Sequence, residues 1–435
     1  MIEGIPAIGI LLALLFLFLA LRAGRRQRLV SDLPTSKTTG VFIGLVELKG
    51  TAEVQQPLVS YLAGQACVYY QWQVEERWSR TVTETYTDSE GKTKTRTRTE
   101  SGWTTVAQGG EETPFYLQDD CGVVLVQPAR AKIEPMTVFN QTCGRLDTLY
   151  YAKGPALAVA NSDHRRRFVE RSIPLHAPLY IVGQARERQD IVAPEIAHDP
   201  QADLFLVSTR SEEQVRRGLG WQFWLLGLLG AACAVGGWMI RDARLERAIP
   251  EHIPTYAIAG SAFFLVWLLG WIVMGYNSLV SLRQRVRQAW ANVEVQLKRR
   301  ADLIPNLVQA VQGMRDYEQN LQSELAHLRA QLGATAPGEP GADPQAVAAT
   351  VGAVLERYPE LKASDSFLSL QQSLVDTEQR IALARGYFND IATFYNTRLE
   401  ILPDRFLAAL GAMKPQALLA AGQFERAPVT VKFAE

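Results

Sequence analysis

Three stretches carry almost no polar side chain: Ile5 to Leu21, Gly218 to Ile240 and Ile253 to Tyr276. At ~1.5 Å of rise per helical residue, each comes close to or exceeds a bilayer core of about 30 Å. The pattern predicts transmembrane helices at 5–21, 218–240 and 253–276. Only Arg241 to His252 separates the second from the third, so these two form a helical hairpin. The segments flanking that hairpin then share one side of the membrane. No charge falls inside a span, which speaks against an ion or substrate path.

Between the first and second spans the period shortens to two. Residues 29–217 hold short Val-, Ile-, Leu- and Tyr-rich runs at Val41–Val46, Ala66–Val74, Gly122–Gln127, Leu179–Val182 and Asp203–Val207. Gly, Pro, Asp and Asn separate them, so the region reads as mostly β. From Thr81 to Glu100, threonine recurs at every second position on two arms. Pairing positions that sum to 180 sets Thr against Thr on one face. The other face then pairs Asp88 with Lys92, Tyr86 with Lys94 and Glu84 with Arg96, around a Ser89-Glu90-Gly91 turn. Neither face is apolar, so this hairpin projects into water or against a partner. Tyr86, Asp88, Gly91, Lys92, Lys94 and Arg96 are its candidate docking residues.

After the third span the pattern turns helical. Leu279, Val286, Val293, Leu307, Met314, Leu321 and Leu328 keep a seven-residue spacing that Arg300 interrupts. Pro305 falls inside this seam without changing its phase, which predicts a kink and not an end. Gly333 to Pro344 is a connector, and a shorter helix follows at Gln345–Arg357. Then Phe367, Leu370, Leu374, Thr377, Ile381, Ala384, Phe388, Ile391 and Tyr395 alternate three and four apart, up to Pro403. Helices with one apolar stripe each must pack on one another. The expected fold class is an α+β membrane protein. A small mostly-β domain (29–217) sits between transmembrane helices, and a long antiparallel helical bundle (277–431) follows.

Charge sharpens this picture. Lys plus Arg and Asp plus Glu both number 45, so the formal net charge is zero. A free nucleic-acid binder would show a basic excess, so nucleic acid is not an expected partner. The arginines nevertheless cluster. Arg22, Arg25, Arg26 and Arg28 follow the first span, Arg210, Arg216 and Arg217 precede the second, and Arg283, Arg285, Arg287, Lys298, Arg299 and Arg300 follow the third. They outnumber Arg241, Arg244 and Arg247 of the hairpin loop. The balance puts the N-terminus outside and both soluble domains in the cytoplasm. A signal-peptide reading of the first span lacks both a basic n-region and an A-x-A site.

Of Cys67, Cys121, Cys143 and Cys233, the last is inside a span; an odd number of soluble thiols favours the reduced state. Cys67, in an apolar run, reads as a buried structural thiol and not a nucleophile. No C-x-x-C occurs, and His164, His176, His198, His252 and His327 are scattered. The sequence therefore offers no zinc site, no catalytic set and no cofactor motif.

Two resemblances follow from local blocks. Gly44-Leu45-Val46-Glu47, Leu62 to Tyr70, Val74-Glu75, Asp120 to Val126, Leu179 to Gly183 and Ser208 to Glu212 resemble the GIDE-type domain. Its known relatives are mitochondrial membrane E3 ubiquitin ligases, in which this domain lies beside the membrane between two helices. Their ligase activity belongs to a separate RING finger, whose ligands are not in this chain. Tyr276 to Val280, Ala289 to Val293, Val295 to Val308, Tyr358 to Ala363, Thr377-Glu378, Ala384-Arg385, Phe388-Asn389-Asp390 and Tyr395 to Arg398 resemble the bacterial LemA family. That resemblance covers residues 276 to about 431. It implies a helical bundle on the cytoplasmic side of the inner membrane, and a scaffold role beside a membrane protease or another membrane protein. The family pattern lacks the upstream domain and the extra hairpin helix.

The best functional candidates are Gln296, Arg299, Arg300, Asp302 and Asn306, within three turns. Arg300 falls on the seam and needs a partner, for which Glu378 or Asp390 serves. A polar pin fixing register, a docking site and a headgroup site are the three readings. The chain is thus expected to be a non-enzymatic scaffold or oligomerisation platform, with the lipid bilayer and further copies of itself as partners. An E3-like transferase is the alternative.

Overall fold

The structure is a computed structural model that describes residues 2–87, 93–188, 193–200, 202, 204–312 and 365–419. Asp88, Gly91 and Lys92 at the hairpin tip, the 333–344 connector and the 345–357 helix lie outside these residues. The chain divides into two compact units, residues 37–212 and the remainder. The fold is mixed α+β.

The 37–212 unit is built on a closed ring of strands. After the two-residue β1 (Thr35–Ser36) come β2 (Gly44–Glu53), β3 (Leu58–Val59), β4 (Ala66–Thr87) and β5 (Thr93–Glu112). β6 (Phe115–Gln118), β7 (Val123–Val126), β8 (Lys132–Glu134) and β9 (Met136–Gly144) precede a short helix, here numbered α2 (Thr148–Ala152). β10 (Ser162–Pro174), β11 (Pro178–Glu187), β12 (Pro194–Ala197) and β13 (Leu206–Ser208) complete the set.

β2, β6, β7, β12 and β11 pair in that order, and β11 returns to β2. Every pairing in the ring is antiparallel except β7 with β12. This is the Greek-key strand order of an OB-type barrel. Period-two positions fill its interior: Val46, Leu48 and Ala52, Phe115 and Leu117, Val124 and Val126, Leu179, Ile181 and Ala185. Gly50 continues the inward row of β2 because a Cβ there would meet the Gln118 carbonyl at 2.3 Å. β2 and β6 close on each other at that point.

A second sheet runs β5–β4–β10–β9. The sum-to-180 register holds from Glu75↔Thr105 to Thr87↔Thr93, including Glu84↔Arg96 and Tyr86↔Lys94. A bulge beside Val74 shifts the register below that point. The sequence reading split β4 into an apolar run and a polar hairpin arm; the structure joins them into one strand. The polar stretch continues because Glu75 to Trp78 lies between two partners, β5 on one side and β10 on the other, and Ser79 and Arg80 stay paired with β5. Cys67 is fully buried, and burial, with Glu170 adding to it, pushes its thiol up to about 11. All four cysteines are free thiols.

The other unit is helical: α1 (Ile5–Ser31), α3 (Glu212–Arg244), α4 (Ile253–Gln312), α5 (Asp365–Glu400) and α6 (Asp404–Leu410). α1, α3 and the first part of α4 are long and apolar enough to cross a membrane. Their contact faces use small residues, while Leu11, Leu14, Leu15 and Phe18 point outward. Gly9 and Gly237 meet so closely that a Cβ on Gly9 would lie 2.8 Å from the Cys233 carbonyl. Backbone approach of this kind is how apolar helices associate without a hydrophobic driving force.

α4 runs through Pro305 as one helix. Its inward row Leu279, Leu282, Val286, Ala289 and Val293 is buried, as is the α5 stripe Leu374, Thr377, Ile381, Ala384, Phe388, Ile391 and Tyr395. Trp290 stacks edge-on to Phe388 at 5.5 Å and Arg300 faces Glu378, so the two helices run antiparallel. Burial of each such aliphatic or aromatic side chain stabilises the pair by ~1.5–3 kcal/mol.

Candidate functional site

Among the sequence-derived candidates, Arg300 and Glu378 meet, with Nη1 3.7 Å from Oε1 and both side chains buried. Asp390 is not their neighbour. It sits twelve residues further along α5, ~18 Å by helical rise, and is exposed. Arg299 and Asp302 also face outward, and Gln296 is half-buried. Asn306 lies in α4. In the hairpin, Tyr86 and Arg96 are exposed, and Lys94 is placed opposite Tyr86 by strand register. Among the described helical candidates, the structure thus brings Arg300 and Glu378 together as one buried pair.

A denser polar centre joins helices far apart in sequence. Arg28 at the end of α1 lies 3.3 Å from Asp404 on α6. Arg398 of α5 lies 2.6 Å from Asp32 and 2.5 Å from Asp404. Ser278 of α4 donates to the other oxygen of Asp32 at 2.6 Å. Two cations and two carboxylates thus alternate, so each charge faces its opposite. Burial pushes the Asp32 carboxyl above its usual range, against the opposing pull of Arg398 and Ser278.

Next to it, α5 holds an extended segment by its backbone. Asn396 Nδ2 donates to the Gln416 carbonyl at 2.8 Å, while Gln416 N–H donates to Asn396 Oδ1 at 2.8 Å. Asn389 does the same with Leu419, at 3.1 and 2.8 Å. A single amide side chain satisfies both backbone groups of one residue in each case.

In the β unit the main polar centre is Arg166 with Glu76, both with fully buried side chains. Every guanidinium donor has an acceptor. Nε and Nη2 donate to Glu76, Nη1 to the carbonyls of Tyr150 and Pro155, and Nη2 also to Leu157. Tyr150 and Ser162 hydroxyls donate to the second Glu76 oxygen. Burial alone would raise the Glu76 carboxyl, yet the hydrogen bonds from Ser162, Tyr150 and Arg166 outweigh it and hold it below its usual range.

One cluster has metal-ligand composition: Asp119, Asp120 and Cys121 offer atoms within 4.8 Å of one another. Its lone pairs are already engaged. Asp119 accepts from Thr38 N–H and Oγ1 and from the N–H groups of Cys121 and Gly122. Lys37 pairs with Asp120. Burial and both aspartates push the Cys121 thiol up, away from the thiolate a metal needs.

The sequence reading gave no role to Asn389, Asn396, Arg398 or Arg166. The available signal was two asparagines seven apart beside an apolar stripe, followed within two residues by an arginine.

These features define an α+β protein with three apolar helices, a barrel domain and a paired-helix region. Residues 289–433 match the LemA family, and residues 83–240 match the GIDE model, described as E3 ubiquitin ligase. The chain thus carries a LemA-family region and, on its N-terminal side, a GIDE-type region. The GIDE match opens inside β4 and takes in the apolar part of α3, so the Cys67-Val68-Tyr69-Tyr70 block lies before it. Magnetosome protein MamQ of Magnetospirillum gryphiswaldense is 27% identical over 187 residues, 36% of this chain and 69% of the relative. Magnetosome protein MamQ 2 of Paramagnetospirillum magneticum is 25% identical, over 35% of this chain and 68% of its own. Protein LemA of Metamycoplasma hominis is 20% identical over 194 residues, 43% of this chain and 89% of its own length.

Proposed function

We propose that this protein is a non-enzymatic scaffold or oligomerisation platform at the cytoplasmic face of a bacterial inner membrane. It crosses the membrane three times, with its N-terminus outside and both soluble regions in the cytoplasm. The observation that carries this reading is how its buried charges are used. Arg28, Asp32, Arg398 and Asp404 pair with one another just beyond the apolar helices and tie α1 to α5 and α6. Arg166 likewise commits every donor to structure. These charges serve to fix geometry and are engaged with one another. The arginine flanks support the orientation, and the LemA-family match supports a bacterial bundle protein.

Mass photometry of the full chain in detergent tests the platform: an oligomer is expected, and a single monomer peak sinks it. Thiol labelling of Gly91→Cys tests the side. No signal above the unsubstituted chain is expected from outside intact cells, and strong external labelling overturns the topology. The description attached to the GIDE model gives the competing reading, and ubiquitin transfer by the purified chain would establish that one instead.

A further inference from the structure

One end of the second sheet carries an apolar cap. Between Gly154 and Asn161 every side chain is apolar, in the sequence Pro155-Ala156-Leu157-Ala158-Val159-Ala160. Surface loops are ordinarily built from Gly, Pro, Asn, Asp and Ser. This one lies at the surface all the same: Ala156, Ala158 and Ala160 are exposed, and Leu157 is 84% exposed. Leu146, in the turn after β9, is 102% exposed, and Tyr151 on α2 is 52% exposed. These three large side chains belong to one end of the sheet. Gly144 pairs with Arg165 there, and the guanidinium of Arg166 holds the carbonyls of Tyr150, Pro155 and Leu157. The buried centre thus holds the loops in a set shape with their apolar side chains outward.

The charges around the cap favour an anionic surface. No Asp or Glu occurs from Thr148 to Ser162. Of the two flanking carboxylates, Asp147 accepts from Leu149 N–H at the start of α2, and Asp163 lies 3.3 Å from Arg77. Arg145 and Arg165 are exposed. Arg145 Nε donates to the Tyr151 hydroxyl at 2.9 Å, which sets a cation and a phenol side by side at the rim. Leucines rimmed by arginine and tyrosine match the boundary of a bilayer, where chains meet phosphates. Protein interfaces draw their energy from shaped pockets and large anchors. Two leucines among small alanines need only a fluid apolar phase.

Such a phase is also close at hand. α1 ends at Ser31 and the β unit begins at Lys37; the unit ends at Glu212, where α3 begins. Both helices are apolar enough to cross a membrane. Two short tethers raise the local concentration of lipid around the unit.

We propose that Leu146, Tyr151 and Leu157 form a lipid-docking cap that enters the interfacial layer of an anionic leaflet, with Arg145 and Arg165 against the phosphates. The cap rests on the membrane-spanning reading above and adds a third attachment to the two covalent ones.

The test uses the full chain in nanodiscs of phosphatidylglycerol and phosphatidylcholine that carry a doxyl quencher high on the acyl chain. An environment-sensitive fluorophore is placed on Leu157→Cys, on Leu14→Cys in the outward face of α1, or on Thr97→Cys in the exposed β4–β5 hairpin. The signal that the unsubstituted chain gives through its own cysteines is subtracted. The labels at positions 157 and 14 are expected to shift to the blue and lose most of their emission to the quencher, and the label at 97 to do neither. Leu146→Ser in the Leu157→Cys chain should weaken that quenching at an unchanged unfolding temperature, because Leu146 is fully exposed. In discs of phosphatidylcholine alone, insertion at 157 should fall by about fivefold for each arginine engaged. Equal quenching there overturns the anionic surface as the occupant. Equal quenching at 97 and 157 overturns the cap as a specific contact. An unquenched label at 157 beside a quenched one at 14 overturns the cap and leaves the spans standing. An unquenched label at 14 removes both.

Discussion

Two buried charge centres, one in each unit, solve the same physical problem differently. In the β unit, a single guanidinium and a single carboxylate are closed off from water, and backbone carbonyls absorb the leftover donors of Arg166. In the helical unit, four charges are shared, and Arg28 and Arg398 keep about 15% of their side-chain surface exposed. The first centre is rigid because every donor of Arg166 and both oxygens of Glu76 are engaged within it. The second is redundant, since Asp32 and Asp404 each retain a neighbour when one link is lost. One locks a local fold; the other joins the beginning of the chain to its end.

Removing one partner separates these cases. Arg166→Ala leaves Glu76 buried without its cation and strands three carbonyls, so a loss of about 3–5 kcal/mol is expected. Thermal unfolding followed by the near-ultraviolet signal of the β unit reads it, and a loss below 1 kcal/mol would refute the rigid-centre description. Arg398→Ala should cost less, about 2 kcal/mol, because Arg28 still faces Asp404 and Ser278 still donates to Asp32. A larger loss than for Arg166→Ala reverses the comparison.

Acid distinguishes the centres by sign. The Glu76 carboxyl is held below its ordinary 4.5, so its contribution is present above that value. It is lost as pH falls through the lower folded value. Asp32 is raised above its ordinary 3.8, so the folded state binds its proton more tightly than the unfolded chain does. Its linkage therefore favours folding as pH falls towards 3.8 and opposes it as pH rises to the folded value. Hydrogen exchange followed as pH falls below 4.5 should show protection falling around residues 162–170 and not around 28–32. Glu76→Gln should flatten the first response, and a drop that survives this substitution assigns it to other groups.

The contrast also explains what could be read from sequence. The α5 stripe and the α4 seam were legible because helix period and burial coincide at Leu374, Ile381 and Phe388. The Thr81–Glu100 register was legible because both arms carry their own period-two mark and a glycine turn fixes their offset. β10 was not. Its Asp163-His164-Arg165-Arg166-Arg167 run looks like a solvated loop. Arg166 and Glu170 are buried only because their partners, Glu76 and the N–H groups of Leu62 and Ala63, arrive from about ninety or more residues away in sequence. The barrel closure is equally non-local, since β2 and β11 meet across more than a hundred residues of intervening chain. The asparagine pair on α5 has no periodic mark beyond its seven-residue spacing, which an ordinary surface pair would share.

The smallest effect belongs to the exposed hairpin, where charges are paired but not buried. Arg80 meets Glu100 at 2.8 Å through Nη2, with more than half of its side-chain surface in solvent. Its guanidinium also lies 5.7 Å from the ring centre of Trp78. An ion pair in this setting gains little over hydration and is screened by salt within a Debye length of ~8–10 Å. Arg80→Ala should therefore cost about 0.2–1 kcal/mol, and most of that should vanish at 1 M salt. The cross-strand register Thr81↔Thr99 should stay intact, because threonine pairs and backbone bonds carry it. A loss approaching that of Arg398→Ala, or one insensitive to salt, would mean that this ribbon is buried against a partner, and its charges would then belong with the two interior centres.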